Sequence, residues 1–84
     1  MDESEIKFSE HVNERIKERG INKEWIYEAI NAPDKKIIKS QDEVHFFKKI
    51  LEFAGKCLKV VFNPIKNRVI KAYFDRKMTK NNCK

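Results

Sequence analysis

The sequence has little glycine, proline, cysteine or histidine, with two of each in 84 residues. Two glycines are too few for a Gly-rich loop of the kind that cradles phosphate in nucleotide-driven enzymes. Two distant histidines and scattered acidic residues do not form the ligand set of a metal site. No apolar run approaches the ~20 residues that a membrane-spanning helix needs. The composition therefore argues against a nucleotide-driven enzyme, a metal centre and a membrane protein, and we expect no cofactor.

The N-terminal segment and the cysteines both favour a cytoplasmic protein. Residues 1–7 are acidic and lack the basic and apolar regions of a signal peptide, so we expect a loose lead-in there. Cys57 stands in an apolar run and is predicted to be a buried thiol, whereas Cys83 lies in a polar tail. A disulfide or a metal site built from these two cysteines is not expected.

Charge is divided unevenly along the chain. The net charge is +6, yet residues 1–34 carry −4 and residues 35–84 carry +10. A lysine-rich solvated surface is one interpretation. The other is a surface that binds a polyanion, because clustered cations release counterions from a nucleic-acid backbone. The asymmetry favours the second interpretation.

Two helices are predicted at the start of the chain. The first spans about residues 9–19, with Ser9 as its N-cap and Gly20 as the residue that ends it. The second spans about residues 23–31, with Asn22 as its N-cap. Each has apolar residues at helical spacing on one side, so we expect the two to form a short hairpin.

The rest of the chain is predicted to form strands over residues 36–39, 44–51, 57–62 and 68–74. The first is short and flanked by lysines, which is typical of an edge strand. The third is nearly all apolar, which predicts a central position. The pattern predicts an α+β fold in which an N-terminal two-helix hairpin packs on a three- to four-stranded antiparallel sheet. Residues 1–77 would form one domain, and residues 78–84 a disordered tail.

One edge of the first helix collects the side chains best suited to chemistry. His11, Arg15 and Arg19 lie at i, i+4 and i+8 and therefore form a stripe. It runs beside the apolar stripe of Val12 and Ile16. An imidazole and two guanidiniums should thus line up at the border of the buried face.

Several segments together resemble a known group of proteins. They are the helix F-S-x-H-x-x-x-R-x-x-x-R-G-I, the segment HFFKKI at residues 45–50, the strand LKVV at residues 58–61 and the ending VIKAYFDR at residues 69–76. They resemble a family of small prokaryotic proteins similar to RelE/ParE-type toxins, in the wider group of barnase-, EndoU-, colicin- and RelE-like ribonucleases. The resemblance covers about residues 6–77. Lys71 departs from it, since members often carry Thr there.

The resemblance implies a RelE/ParE-like fold with RNA bound on or beside the sheet. It also implies a cytoplasmic ribonuclease-type toxin of a toxin–antitoxin pair. Its expected partners are RNA, free or on the ribosome, and a small acidic antitoxin; no membrane and no small-molecule cofactor are expected. Two alternatives remain open: a non-catalytic RNA- or protein-binding module of the same fold, and an interaction protein such as a ParE-like inhibitor of an enzyme.

Metal-free RNA cleavage needs an acid or base and cations around the phosphorane. His11 can move the proton, because an imidazole titrates near neutral pH. Arg15 and Arg19 can clamp phosphate bidentately, and Tyr73 could orient it or act as a weak acid. These four are the candidate catalytic residues. The candidate RNA-binding residues are Lys48, Lys49, Lys71, His45 and Arg76.

Each candidate also has a structural interpretation. His11 could bond a backbone carbonyl at the helix edge, and the arginines could pair with Glu14, Glu18 or Asp75. Tyr73 could be half-buried packing, and Lys48 and Lys49 could be solvated surface. His45 is the alternative titratable group, and Phe47 could stack on a base.

Overall fold

The computed structural model describes residues 6–84, and within them the chain forms a five-stranded sheet with three α-helices. The elements follow in the order β1 (Lys7–Phe8), α1 (Glu10–Glu18), α2 (Lys23–Asn31), β2 (Lys35–Ser40), β3 (Glu43–Ile50), a 3₁₀ turn (Leu51–Phe53), β4 (Lys56–Asn63), β5 (Arg68–Phe74) and α3 (Arg76–Lys80). The loose lead-in predicted for residues 1–7 lies outside the described residues except at its end, where Ile6 is buried and Lys7 begins β1.

Capping residues set the bounds of the first two helices. The Ser9 Oγ accepts a hydrogen bond from the Val12 N–H at 3.2 Å, at the start of α1. The Asn22 Oδ1 accepts from the Glu24 N–H at 2.9 Å, at the start of α2. Gly20 follows α1 with φ +67°, the left-handed conformation that glycine adopts without strain. These caps confirm the helix starts predicted from the sequence.

The sheet has the order β1-β5-β4-β3-β2. Four strands pair antiparallel, but β1 pairs parallel with β5 through Lys7↔Arg68 and Phe8↔Val69. The prediction of a helical hairpin on a three- to four-stranded antiparallel sheet is therefore wrong. The sheet is mixed, and α1 packs on β5 while α2 packs on β3 and β4. A two-residue strand shows no alternation of polar and apolar residues, so β1 leaves no pattern in the sequence.

The main core lies between the helices and one face of the sheet. β4 is the central strand, as its apolar sequence predicts, and it pairs with β3 and β5. Alternate residues of these strands point toward the helices, and they are buried there with the apolar side chains of α1 and α2. The sheet contributes Val44, Phe46, Ile50, Leu58, Val60, Phe62, Val69 and Ala72. Because Val69 and Ala72 point into this core, other residues of β5 are left on the opposite face of the sheet and along the edge of the strand.

The C-terminal segment is attached to the opposite face of the sheet. Cys57 in β4 and Cys83 form a disulfide, with Cα atoms 5.4 Å apart, and both are fully buried beside Phe47. The expectations of two unpaired cysteines and a disordered tail over residues 78–84 therefore differ from the structure. Spacing alone could not reveal the disulfide, because α3 has to turn the chain back across β4 before the two cysteines meet.

Candidate functional site

The N-terminal helix presents a stripe of three exposed polar side chains. His11, Arg15 and Arg19 are exposed, whereas Val12 and Ile16 on the adjacent stripe are buried in the core. The burial of these two apolar residues fixes the rotation of α1 about its axis. The imidazole and guanidiniums consequently lie along the border between helix and sheet, as the spacing predicts.

Part of β5 forms an open edge beside this helix. β1 pairs with β5 only as far as Phe8↔Val69, so no strand covers residues 70–74 among the residues that the structure describes. The register also shifts by one residue between Val61↔Lys71 and Phe62↔Val69, which leaves Ile70 unpaired. A bulge of this kind re-aims the side chains that follow it. Here the following residues are Lys71, Ala72 and Tyr73.

Helix α1 and the open edge of β5 enclose a cleft of about 520 Å³. Its lining residues are His11, Val12, Arg15, Arg19, Ile70, Lys71, Ala72 and Tyr73. All four candidate catalytic residues and one candidate RNA-binding residue are thus brought together. The cleft has three cationic side chains and no carboxylate in its lining, which suits an anion.

The two arginines are held differently. The Arg19 Nη1 donates to the backbone carbonyl of Ala72 at 3.0 Å. Arg15 pairs with Glu18 at 3.6 Å, and both side chains are at least half exposed, so this ion pair is weak and easily exchanged. The Asp75 Oδ1 instead accepts from the Met78 N–H at 3.0 Å and caps α3.

Lys59 extends the positive surface from the cleft onto the opposite face of the sheet, which also carries the C-terminal segment. Its Nζ lies 5.6 Å from the centroid of the Tyr73 ring and 5.7 Å from that of Phe47. Lys71 lies 5.8 Å from the same Tyr73 centroid. Sequence reasoning missed Lys59, although it is the one charged residue inside the apolar run 57–62. A single lysine within an otherwise apolar strand was the feature of the sequence that could have identified it as a candidate.

The other candidate RNA-binding residues lie away from the cleft. The Lys48 Nζ donates to the carbonyl of Ala32 at 3.0 Å. Lys49 lines a separate pocket with Asp34, Asn82 and Lys84. The His45 Nε2 lies 2.7 Å from the Glu43 Oε2, and only 12% of the His45 side chain is exposed. Arg76 belongs to α3, beyond the end of β5.

Residues 6–84 contain neither a metal-ligand cluster nor a helix that could span a membrane. No group of three or more His, Cys, Asp or Glu side chains in this range could hold a metal ion. No helix in the same range is long and apolar enough to span a membrane.

The chain matches the model of a known protein family over most of its length. Residues 8–74 match the model of DUF4258, a domain of unknown function. The chain belongs to the DUF4258 family. No curated protein and no solved structure matches it. The DUF4258 region contains every residue that lines the cleft, whereas α3 and Cys83 lie outside it. The disulfide therefore joins a residue of the DUF4258 domain to the segment that follows it.

Proposed function

We propose that this DUF4258 protein is a ribonuclease-type toxin that cleaves RNA without a metal ion, with the cleft between α1 and β5 as its active site. The observation that carries the proposal is the convergence of His11, Arg15, Arg19 and Tyr73 on one cleft. The resemblance of the sequence to RelE/ParE-type toxins supports the same class of activity. A common fold can host different functions, so the proposed activity rests on the residues of the cleft.

The proposed reaction begins with attack by a ribose 2′-hydroxyl on the neighbouring phosphorus. His11 accepts the hydroxyl proton as the new P–O bond forms, and the bond to the 5′-oxygen breaks. The departing oxygen takes a proton from Tyr73 or from water. The products are a 2′,3′-cyclic phosphate and a free 5′-hydroxyl. His11 is exposed at the cleft, so a substrate can reach its imidazole.

The cations of the cleft would stabilise the phosphorane. Arg19 uses one N–H of Nη1 for Ala72, and a guanidinium has five N–H donors, so four remain for phosphate oxygens. Arg15 can leave its exposed ion pair at little cost. Lys71 adds a third positive charge on the strand side. Hydrogen-bond donors that are fixed in place before the reaction stabilise the transition state more than mobile donors do, because they do not need to reorganise.

A cleavage assay tests this proposal. Purified protein is incubated with a fluorophore–quencher RNA in the presence of EDTA, and the product ends are determined. We expect 2′,3′-cyclic phosphate ends, and a rate that falls by ~10²–10⁴-fold in His11→Ala. His45→Gln is the matched control, because this second histidine lies outside the cleft beside Glu43, and it should keep its activity. Full activity in a folded His11→Ala protein would contradict the assignment.

A non-catalytic RNA-binding module is the second candidate. One observation favours it: the cleft holds a single imidazole and no carboxylate, so the second proton transfer of acid–base cleavage would fall to the weakly acidic hydroxyl of Tyr73 or to water. The same assay separates the two functions. RNA binding that depends on Arg15 and Arg19, without any cleavage, would establish the module.

The proposed partners and location follow from the toxin class. A small acidic antitoxin would cover the cationic cleft, and its reading frame should neighbour that of the toxin. Co-expression of that frame should restore growth if expression of this chain arrests it. We also propose a cytoplasmic location. There the disulfide between Cys57 and Cys83 would meet reducing conditions, so its state in the cell tests the location.

A further inference from the structure

A second pocket lies where β5 ends and α3 begins. Its volume is about 340 Å³, and it is lined by Lys56, Phe74, Arg76, Thr79 and Lys80. Three of these five side chains are cationic, one is aromatic, and none is a carboxylate. The combination of a ring and several cations is the composition that binds single-stranded nucleic acid, because a base stacks on the ring while the cations meet phosphate.

The aromatic ring of this pocket is held by other rings. Phe74 stacks on Phe53 with centroids 4.5 Å apart and an interplanar angle of 10°. Trp25 meets Phe74 edge-on at 6.2 Å. Phe74 nevertheless remains partly exposed. A ring whose orientation is fixed by two neighbours loses little side-chain entropy when it binds a base.

The cations of the pocket come from two elements. Arg76 and Lys80 lie one turn apart in α3, so they share one side of the helix, and Lys56 at the start of β4 stands 5.1 Å over the Phe53 ring. Of the acidic residues near these cations in the chain, Asp75 caps α3 and Glu52 lies in the 3₁₀ turn before β4; neither lines the pocket. The cations therefore have no carboxylate partner within the pocket.

The wall that α3 contributes is fastened to β4. The Thr79 Oγ1 accepts from the Cys57 N–H at 2.9 Å and donates to the Asp75 carbonyl at 2.7 Å. The disulfide between Cys57 and Cys83 fixes the end of the segment. The hydroxyl of Thr79 is thus occupied by the fold, and the groups free for a ligand are the ring and the three cations.

The second pocket continues the line of the first cleft. The cleft is bordered by residues 70–73 of β5, and the pocket begins at Phe74. Tyr73 and Phe74 are neighbours in β5, but their side chains point to opposite faces of the sheet, Tyr73 toward Lys59 and Phe74 toward the core beneath the helices. One RNA strand that crosses the open edge of β5 can reach both sites. A single nucleotide would fill only one of them.

We propose that the pocket of Lys56, Phe74, Arg76 and Lys80 is a second binding subsite for single-stranded RNA. It takes a nucleotide neighbouring the one bound in the cleft, with its base against Phe74 and its phosphate among the three cations. This inference rests on the proposed function, because it assumes that the cleft binds RNA. It adds a role for α3, which lies outside the DUF4258 region.

Binding of a labelled, uncleavable 2′-O-methyl RNA of about ten nucleotides tests the subsite by fluorescence anisotropy. The test variant is Arg76→Ala/Lys80→Ala. The matched control is Lys39→Ala/Lys66→Ala, which removes the same charge from two exposed positions outside both pockets. We expect Kd to rise about tenfold or more in the test variant. The slope of log K against log salt should fall in magnitude by about 1.4 relative to wild type, because each phosphate contact on a single strand contributes ~0.7. The control should change little.

The outcomes separate this inference from the proposed function. Equal affinities in the test and control variants would overturn the subsite, even if Arg15→Ala/Arg19→Ala still abolishes RNA binding. No RNA binding by the wild-type protein would remove the proposed function as well. If the test variant binds RNA normally but loses affinity for the acidic antitoxin, the pocket serves a protein partner and the RNA subsite is wrong. A crosslink from a thiouridine in the RNA that tandem mass spectrometry locates on Phe74, and not on the neighbouring Tyr73 of the cleft, would support it directly.

Discussion

Arg19 donates a hydrogen bond from Nη1 to the backbone carbonyl of Ala72 at 3.0 Å, and this contact joins the end of α1 to the open edge of β5. The two residues are 53 positions apart in the chain. An unpaired strand edge offers N–H and C=O groups without partners, and the guanidinium satisfies one of them. The same side chain lines the cleft, so Arg19 both holds the cleft together and supplies it with charge.

Replacing Arg19 should separate these two roles. Arg19→Ala removes both the bond and the charge, and we expect a loss of about 0.5–1.5 kcal/mol in the free energy of unfolding. It should also weaken RNA binding. Arg19→Lys keeps the charge but not the planar fork of donors, so it should retain part of the affinity and lose much of the cleavage rate. Urea unfolding measures the change in stability, RNA titration measures the affinity, and the cleavage assay measures the rate.

Lys17→Ala is the control for Arg19, since Lys17 is an exposed cation of α1 that does not line the cleft. It should change unfolding and cleavage little. If Arg19→Ala and Lys17→Ala behave alike in both measurements, Arg19 has neither role.

The end of α1 depends on Gly20. Its φ is +67°, and a Cβ added there would meet nothing within 4 Å. Gly20→Ala should therefore destabilise the protein by about 1–2 kcal/mol through backbone strain alone, which thermal or urea unfolding would measure. Gly20→Asn should cost less, because asparagine tolerates the left-handed conformation better. Equal stability of the alanine variant and the wild type would show that the turn can relax.

Lys59 should contribute to RNA affinity through charge. It lies on the face of the sheet opposite the helices, close to the rings of Tyr73 and Phe47. If it contacts a phosphate, Lys59→Gln should weaken RNA binding for all sequences alike and lower the slope of log K against log salt by about one. Lys66→Gln, in the exposed β4–β5 turn, is the control. An unchanged slope in Lys59→Gln would place the RNA elsewhere.

Local patterns made the helices and part of the cleft predictable. Ser9 and Asn22 act over two or three residues, so the helix starts can be read directly from the chain. The stripe of His11, Arg15 and Arg19 follows from helical spacing alone. Lys71 and Tyr73 could be predicted to lie near this stripe only if the last strand ends beside the first helix. In the structure all five residues line one cleft. Their catalytic roles stay a prediction.

Features that depend on distant pairing could not be predicted. β1 is two residues long, and its place in the sheet is set by Arg68 and Val69 far along the chain. Likewise, the hydrogen bond from the Lys48 Nζ to the carbonyl of Ala32 at the end of α2 joins residues that no local pattern relates. In both cases the partner is determined by how whole elements pack, and a single sequence contains no periodic signal for that.

The disulfide between Cys57 and Cys83 should contribute strongly to stability. Both cysteines are fully buried, and the bond spans 26 residues of the chain. A crosslink over a loop of this length reduces the conformational freedom of the unfolded chain, typically by ~2–4 kcal/mol. Cys83→Ser should therefore lower the free energy of unfolding by about that amount, as measured by urea denaturation of the oxidised protein.

Reduced wild-type protein is the control for this change, because it loses the same bond without any substitution. Its unfolding curve should approach that of Cys83→Ser, and both should lie below the oxidised wild type. Reduction should also expose the Cys57 and Cys83 thiols to alkylation, since α3 is then held by noncovalent contacts alone, namely the packing of Met78 and hydrogen bonds such as that from the Cys57 N–H to the Thr79 Oγ1. Free thiols in the unreduced protein, with unfolding equal to that of Cys83→Ser, would show that the bond does not form. A reduced pair in the cell together with an oxidised pair after purification would instead agree with a cytoplasmic protein.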